Sequence, residues 1–224
     1  MPTLTPAPGR RAPYRGRGRT RLTVSGTRFT ASLLAVLLLS GSVLADTDRS
    51  LARATFAGGC FWCMEPPFDA VDGVVETISG FSGGHLAEPT YRQVVQGGTG
   101  HLEVVQVVYD PAAVDYRALL EIYWRNVDPF DGDGQFCDRG RSYRPAIFVH
   151  DPHQARLARA SLAALSERFR QPIAVTIEPF EAFWPAGDDH QDFYTSNPVR
   201  YKYYRWRCGR DDRLEAIWGE TSGD

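Results

Sequence analysis

The stretch Leu102-Glu-Val-Val-Gln-Val-Val-Tyr109 constrains this chain most. It carries β-branched residues on both faces and is bounded by Gly100 and Pro111, the signature of a strand. Short extended and helical runs alternate around it. Ala54–Ala57 reads as a strand that stops at Gly58-Gly59. Residues from Cys60 to about Val71 read as helical, with Pro66-Pro67 inside. Pro66 has no amide to bond the carbonyl of Trp62, so a kink or a restart is expected there. Val74 to Phe81 is a second strand, and Thr90 opens a short helix cut off by Gly97-Gly98. Asp115 caps a helix through Leu119, Leu120 and Tyr123. Residues 128–142 form a long Gly- and Asp-rich loop, of the kind that is usually functional or disordered inside a compact domain. Tyr143–Val149 reads as a strand. Asp151-Pro152 opens a helix with the apolar stripe Ala158, Leu162, Leu165, Phe169, and Ile173–Phe180 is a further strand. The aromatic-rich tail from Asp188 is expected to wrap the body. The order β-α-β-α-β-α-β-α-β predicts an α+β fold, a two-layer sandwich with a mixed sheet. Its core is expected to be ferredoxin-like, with the aromatic-rich segment as a C-terminal extension.

The first 45 residues do not read as fold. Residues 1–30 hold seven arginines and no acid. The short apolar run that follows ends in Val43-Leu44-Ala45, small residues at the positions a signal peptidase reads. The run is too short for a comfortable membrane span of roughly 20 residues. A cleaved secretory signal over 1–45 is expected, with a single catalytic domain over 46–224, an exported and periplasmic location, and no stable membrane insertion. An uncleaved membrane anchor is the alternative. Removing the seven arginines leaves eighteen basic residues against twenty-seven acidic ones. Such an acidic surface is a poor partner for nucleic acid.

All four cysteines, Cys60, Cys63, Cys137 and Cys208, fall in the mature part. Disulfides persist in an oxidising compartment. Four thiols allow three pairings, between which the sequence does not choose. Four are too few to scaffold a domain of this size, so the core must hold the fold and the thiols are free for chemistry. Cys60 follows a strand and a glycine pair and opens a helix. Free amides and the helix dipole there are expected to favour a thiolate. Cys60 and Cys63 make a Cys-x-x-Cys, which fits thiol–disulfide exchange or a metal clip. A zinc site would need further Cys or His ligands at tight spacing, and none is seen, so no metal is expected. Glu103 shares a strand face with Val105, Val107 and Tyr109, where an acid is costly unless partnered or used. Burial would make it a proton donor at neutral pH. Phe61-Trp62, directly after the nucleophile candidate, suits a pocket wall. Asp138 and Tyr143 are polar residues at the end of the long loop.

Four stretches occur in order: GGCFWCMEPPFDAVDGV, YRQVVQGGTGHLEVVQVVYDP, FCDRGRSYRPAIF and DDHQDFYTSNP. Together they resemble peptide methionine sulfoxide reductases of the A type, which act on the S-epimer, and the resemblance covers about residues 53–220. It implies that Cys60 is the nucleophile and that Phe61 and Trp62 line the pocket for the sulfoxide methyl. It places Tyr91, Glu103, Asp138 and Tyr143 at the family's catalytic positions. The implied reaction reduces methionine sulfoxide in oxidised proteins or peptides through a sulfenic acid on Cys60 and then a disulfide. No cofactor is bound, and a thioredoxin-like reductant is external. Many members have glycine where this chain has Cys63. The resolving thiol therefore stays open among Cys208, the more usual location by analogy, Cys63 and Cys137. A Cys-x-x-Cys thiol–disulfide oxidoreductase is the rival reading, and a metal-binding ferredoxin-like module a weaker one.

Overall fold

The structure, a computed structural model, describes residues 50–219, so the expected leader over 1–45 lies outside the described residues. Strand β1 (Ala52–Ala57) leads into helix α1 (Phe61–Asp69), strand β2 (Val74–Ser82), helix α2 (Tyr91–Gln96), strand β3 (Leu102–Tyr109) and helix α3 (Tyr116–Arg125). The long loop contains a small hairpin, β4 (Gly134–Gln135) and β5 (Asp138–Arg139), and a 3-10 turn over Arg141–Tyr143. Strand β6 (Ala146–Val149), helix α4 (Pro152–Phe169) and strands β7 (Thr176–Pro179) and β8 (Phe183–Pro185) follow. Three helices end the chain: α5 (Phe193–Ser196), α6 (Pro198–Arg207) and α7 (Arg210–Trp218).

The main sheet runs β7-β6-β1-β3-β2-β8. Only the β6–β7 pair is parallel. The inner order β6-β1-β3-β2, with α1 crossing from β1 to β2 and α3 lying between β3 and β6, is the expected ferredoxin-like core of an α+β fold. Every residue of β3 is buried. Its odd positions, Val105, Val107 and Tyr109, join Phe56, Phe68, Leu119 and Tyr123 in the large core under the helices. Its even positions Leu102 and Val104 pack with Ala146 and Phe148 on the other face. Glu103 therefore sits on the helix-covered face, where the alternation of the strand put it.

Local chemistry sets most element ends. Asp115 accepts from the amide of Ala118 at 2.9 Å and Asp151 from that of Gln154 at 2.8 Å, as N-caps. Thr90 and Gln93 form a capping box that starts α2 at Tyr91. Three expectations are corrected. Helix α1 continues through Pro66 and Pro67 without restarting. Its buried face, Phe61, Met64, Glu65 and Phe68, holds it whole, and the Ser79 hydroxyl donates to Glu65 at 2.7 Å. Tyr143 is not in a strand: Pro145 keeps Arg144 extended, and the sheet resumes only at Ala146. The strand expected over 173–180 narrows to Thr176–Pro179, since Ala174 turns its amide to the Pro129 carbonyl at 2.7 Å.

The tail does wrap the body, and Arg210 is its anchor. This arginine is 1 % exposed. It donates to the carbonyls of Asn126 at 2.6 Å and Gly58 at 3.3 Å, and its guanidinium lies 4.3 Å from the Phe136 ring. Arg213 pairs with Asp128 at 2.7 Å, and the Trp218 indole donates to the Val127 carbonyl at 3.2 Å. Replacing Arg210 by leucine strands the buried Gly58 carbonyl and the part-buried Asn126 carbonyl. The expected loss is about 2–4 kcal/mol in urea unfolding, whereas the exposed Arg156→Ala should change stability by under about 0.5 kcal/mol.

Candidate active site

Two glycines deliver Cys60 from the end of β1 to the start of α1. A Cβ on Gly58 would stand 2.5 Å from the Met64 sulfur. Gly59, at φ +83, takes a conformation side chains resist and presses against the Gln135 Cβ, which a Cβ of its own would meet at 2.6 Å. Gln135, fully buried, ties the long loop to itself by bonding the amide and the carbonyl of Asp128, both at 2.8 Å. The glycine pair thus fixes both the nucleophile candidate and the loop that carries Asp138 and Tyr143. Cys60 is the N-cap of α1, and its carbonyl accepts from the Cys63 amide at 3.0 Å. Both thiols are free and buried.

Around them the structure assembles the polar residues expected from the sequence. The Phe61 amide, the first of α1, donates to Glu103 Oε2 at 3.2 Å. Burial pushes the Glu103 carboxyl up to about 8, against the lowering effect of that amide. Tyr91 is pushed up to about 12 by burial and by Glu103, against the lowering effect of the neighbouring Tyr143 hydroxyl. Tyr143 is raised for the same two reasons. Asp138 is raised by burial, although the Tyr204 hydroxyl donates to it and Arg210 pulls the other way.

The thiols depart from the expectation of a Cys60 thiolate. Burial pushes the Cys60 thiol well above its usual range, and its hydrogen bond to Cys63 and the nearby Glu103 act in the same direction. Cys63 moves the other way, to about 7, because it receives that hydrogen bond and faces Arg210 and Arg205. Burial of the Cys60 thiol, together with its interaction with Cys63, outweighs the half-charge of one short helix. Of the pair, Cys63 is the thiol that ionises first.

The other two cysteines, Cys137 and Cys208, are bonded to each other. With Asp138 they form a group of metal-ligand type, but a disulfide sulfur is not a thiolate ligand. The bond leaves Cys63 as the free thiol beside Cys60.

Phe61 and Trp62 open an aromatic wall. Trp62 stacks on Phe193 at 3.8 Å, and the Tyr204 ring meets its edge at 5.9 Å. The His190 ring lies 4.2 Å from that of Tyr91 and 5.3 Å from that of Phe61. Burial lowers the His190 pKa, so it is a neutral wall element near pH 7. His190, Phe193, Tyr204 and Arg210 are the site residues that sequence reasoning passed over. His190 and Phe193 were present in the DDHQDFYTSNP stretch, while Tyr204 and Arg210 carry no local signal of a site.

Among the described residues no helix is long and apolar enough to cross a membrane. The family model of peptide methionine sulfoxide reductase matches residues 52–222. A curated relative, the peptide methionine sulfoxide reductase MsrA of Listeria monocytogenes serotype 4b, is 49% identical over 174 residues, 77% of this chain and 98% of the relative. Among solved structures, Mxr1 of Saccharomyces cerevisiae in reduced form superposes with a TM-score of 0.63 at 29% identity, over 66% of this chain and 87% of that one. The methionine sulfoxide reductase A of Corynebacterium diphtheriae gives 0.61 at 31% identity, over 66% and 76%. With its fold, its buried thiol–carboxyl pair and nearly the whole described domain matched, this chain belongs to the peptide methionine sulfoxide reductase family, A type.

Proposed function

We propose that the chain reduces methionine-S-sulfoxide in oxidised peptides and proteins, with Cys60 as nucleophile, Glu103 as proton donor and Cys63 as resolving thiol. The observation that carries this reading is the Glu103 carboxyl, buried on the face of β3 beside Cys60 and held protonated at neutral pH. The Cys63 thiolate takes the proton of Cys60 as the Cys60 sulfur attacks the sulfoxide sulfur. Sulfoxide oxygen is a poor leaving group until protonated, and Glu103 supplies that proton. Tyr91 and Tyr143, raised far above neutrality, donate hydrogen bonds to the oxygen as charge gathers on it. Oxygen and proton pass to Cys60 as a sulfenic acid, the methionine sulfur keeps the electron pair, and the thioether departs along the Phe61-Trp62 wall. The Cys63 thiol then condenses with the sulfenic acid, forming the Cys60–Cys63 disulfide and releasing water. An external dithiol protein of the thioredoxin kind reduces that disulfide, and no bound cofactor takes part.

Stoichiometry checks the thiol assignment. Without reductant, protein with the Cys137–Cys208 bond intact should yield one methionine per chain. Cys60→Ser should yield none. Cys63→Ser should yield one methionine and leave a sulfenic acid that dimedone traps. A full yield from Cys60→Ser would overturn the reading.

The pH profile checks the acid. Single-turnover rate should rise as the thiol pair ionises near pH 7 and fall as Glu103 deprotonates near pH 8, a narrow bell whose limbs belong to coupled groups. Glu103→Gln should remove the falling limb and lower the rate by about 10²–10⁴-fold.

The arginine-rich leader and the small residues before Asp46 support export, with residues 1–45 removed and a periplasmic site of action. N-terminal sequencing of protein recovered from the periplasm should begin at Asp46. A chain that retains Met1 and sediments with membranes would show an anchor instead.

A further inference from the structure

The Tyr204 hydroxyl lies between two groups of the site. It donates to Asp138 Oδ2, and the Cys60 thiol is a second close neighbour of that hydroxyl. Its ring stands edge-on to Trp62 at 5.9 Å. One hydroxyl proton cannot serve both acceptors at once. While Cys60 holds its proton, the hydroxyl proton serves Asp138. Once Cys60 gives its proton to Cys63, the new thiolate is the stronger acceptor, and no backbone amide or charged donor is seen bonded to the Cys60 sulfur among the described residues.

What keeps Tyr204 there is a second crosslink parallel to the first. Asp138 follows Cys137 directly on β5. Cys208 closes the last turn of α6, with its amide on the Tyr204 carbonyl at 3.0 Å. The Cys137–Cys208 bond holds the two backbones at a Cα–Cα distance of 4.8 Å, one residue from Asp138 and one helical turn from Tyr204. Apart from this bond, α6 is poorly anchored: none of its residues is fully buried, and Val199, Tyr203 and Trp206 are largely exposed.

We propose that Tyr204 is a further catalytic residue, a hydroxyl that turns from Asp138 to the Cys60 sulfur as the thiolate forms, and that the Cys137–Cys208 disulfide is the clamp holding it in reach. The clamp then serves the chemical step and does not resolve the sulfenic acid. No covalent bond of Tyr204 or of the clamp changes in this step. The only transfers are the Cys60 proton to Cys63 and the redirection of one hydrogen bond. The groups facing Cys60 are Cys63 on α1, Glu103 on β3, Asp138 on β5, Tyr143 on the 3-10 turn, Tyr91 on α2 and Tyr204 on α6. Of their hydroxyls, that of Tyr204 is the one seen bonded to an acid among the described residues.

The proposal rests on Cys60 as the attacking sulfur, so an active Cys60→Ser protein would remove its basis, whereas a failure confined to the variants below would remove the proposal alone. Tyr204→Phe keeps the ring against Trp62 and removes the oxygen. It should slow single-turnover sulfoxide reduction about 10- to 100-fold, the weight of one hydrogen bond to a charged group. It should also shift iodoacetamide alkylation of Cys60, read by peptide mass, to higher pH. The Cys137→Ser/Cys208→Ser pair, otherwise complete, should slow the same step in the same direction. Added to Tyr204→Phe it should cost nothing more, because the hydroxyl it positions is gone. Near-UV circular dichroism confirms that each variant is folded. A parental rate and alkylation profile for Tyr204→Phe would overturn the catalytic role. A parental rate for the double serine variant, or an equal loss with and without the Tyr204 hydroxyl, would overturn the clamp.

Discussion

One carboxyl group, buried on the helix-covered face of β3, sets the electrostatics of the whole site. Glu103 is 2 % exposed and has the Phe61 amide as its hydrogen-bond partner. Burial keeps it protonated near neutral pH, and whatever negative charge it does carry raises Tyr91, Tyr143 and Cys60 together. A neutral Glu103 is therefore also the condition for an ionised cysteine pair beside it. The acid that protonates the oxygen and the thiol that attacks the sulfur compete for one negative charge in a small dry volume, and the site works in the pH interval where each holds its required form.

The division of labour between Cys60 and Cys63 follows from where the fold puts the opposite charges. A helix N-terminus alone would favour a thiolate at Cys60. Burial and Glu103 of β3 raise Cys60, Asp138 of β5 acts on both thiols, and the arginines of α6 and α7 lower Cys63. The charge rests three residues along, on Cys63, close enough to withdraw the proton at the moment of attack. A thiol held neutral until substrate arrives is also a poorer target for stray oxidants, because the thiolate is the reactive form. This suits an enzyme whose substrate is itself a product of oxidation.

The parts of this arrangement legible in the sequence are those carried by short-range pattern. The alternation in Leu102–Tyr109 placed Glu103 on the core face, the glycine pair placed Cys60 at a helix start, and Asp115 and Asp151 announced their helices. The four ordered stretches pointed to Tyr91, Asp138 and Tyr143, which the fold brings around Cys60. What was not legible depends on contacts between residues far apart in the chain. Pairing Cys137 with Cys208 spans 71 residues, and four thiols admit three pairings equally well. Arg210 reads as a surface residue in a charged helix, yet it is buried because the Gly58 and Asn126 carbonyls at the edge of the core have no other donor bonded to them among the described residues. Tyr204 is one of several tyrosines in α6, and only the path of the tail selects it. The direction of the thiol shifts was missed for the same reason: the helix dipole is local, whereas the burial that raises Cys60 most, and the acids and arginines around the pair, come from other elements.

The two cysteine pairs accordingly differ in kind. Cys60 and Cys63 are buried, unbonded and coupled to titrating groups, as a pair must be if it cycles with substrate. Cys137 is exposed and Cys208 partly so, and Cys208 closes α6, a helix none of whose residues is fully buried. A crosslink contributes most where packing contributes least. With the proposed export, such a bond persists in an oxidising compartment, and under the proposed clamp the outer pair holds the aromatic and acidic side chains of the site in place while the inner pair turns over. Under that proposal the Asp138–Tyr204 hydrogen bond is the link between the outer pair, one residue from Asp138, and the sulfur of the inner one.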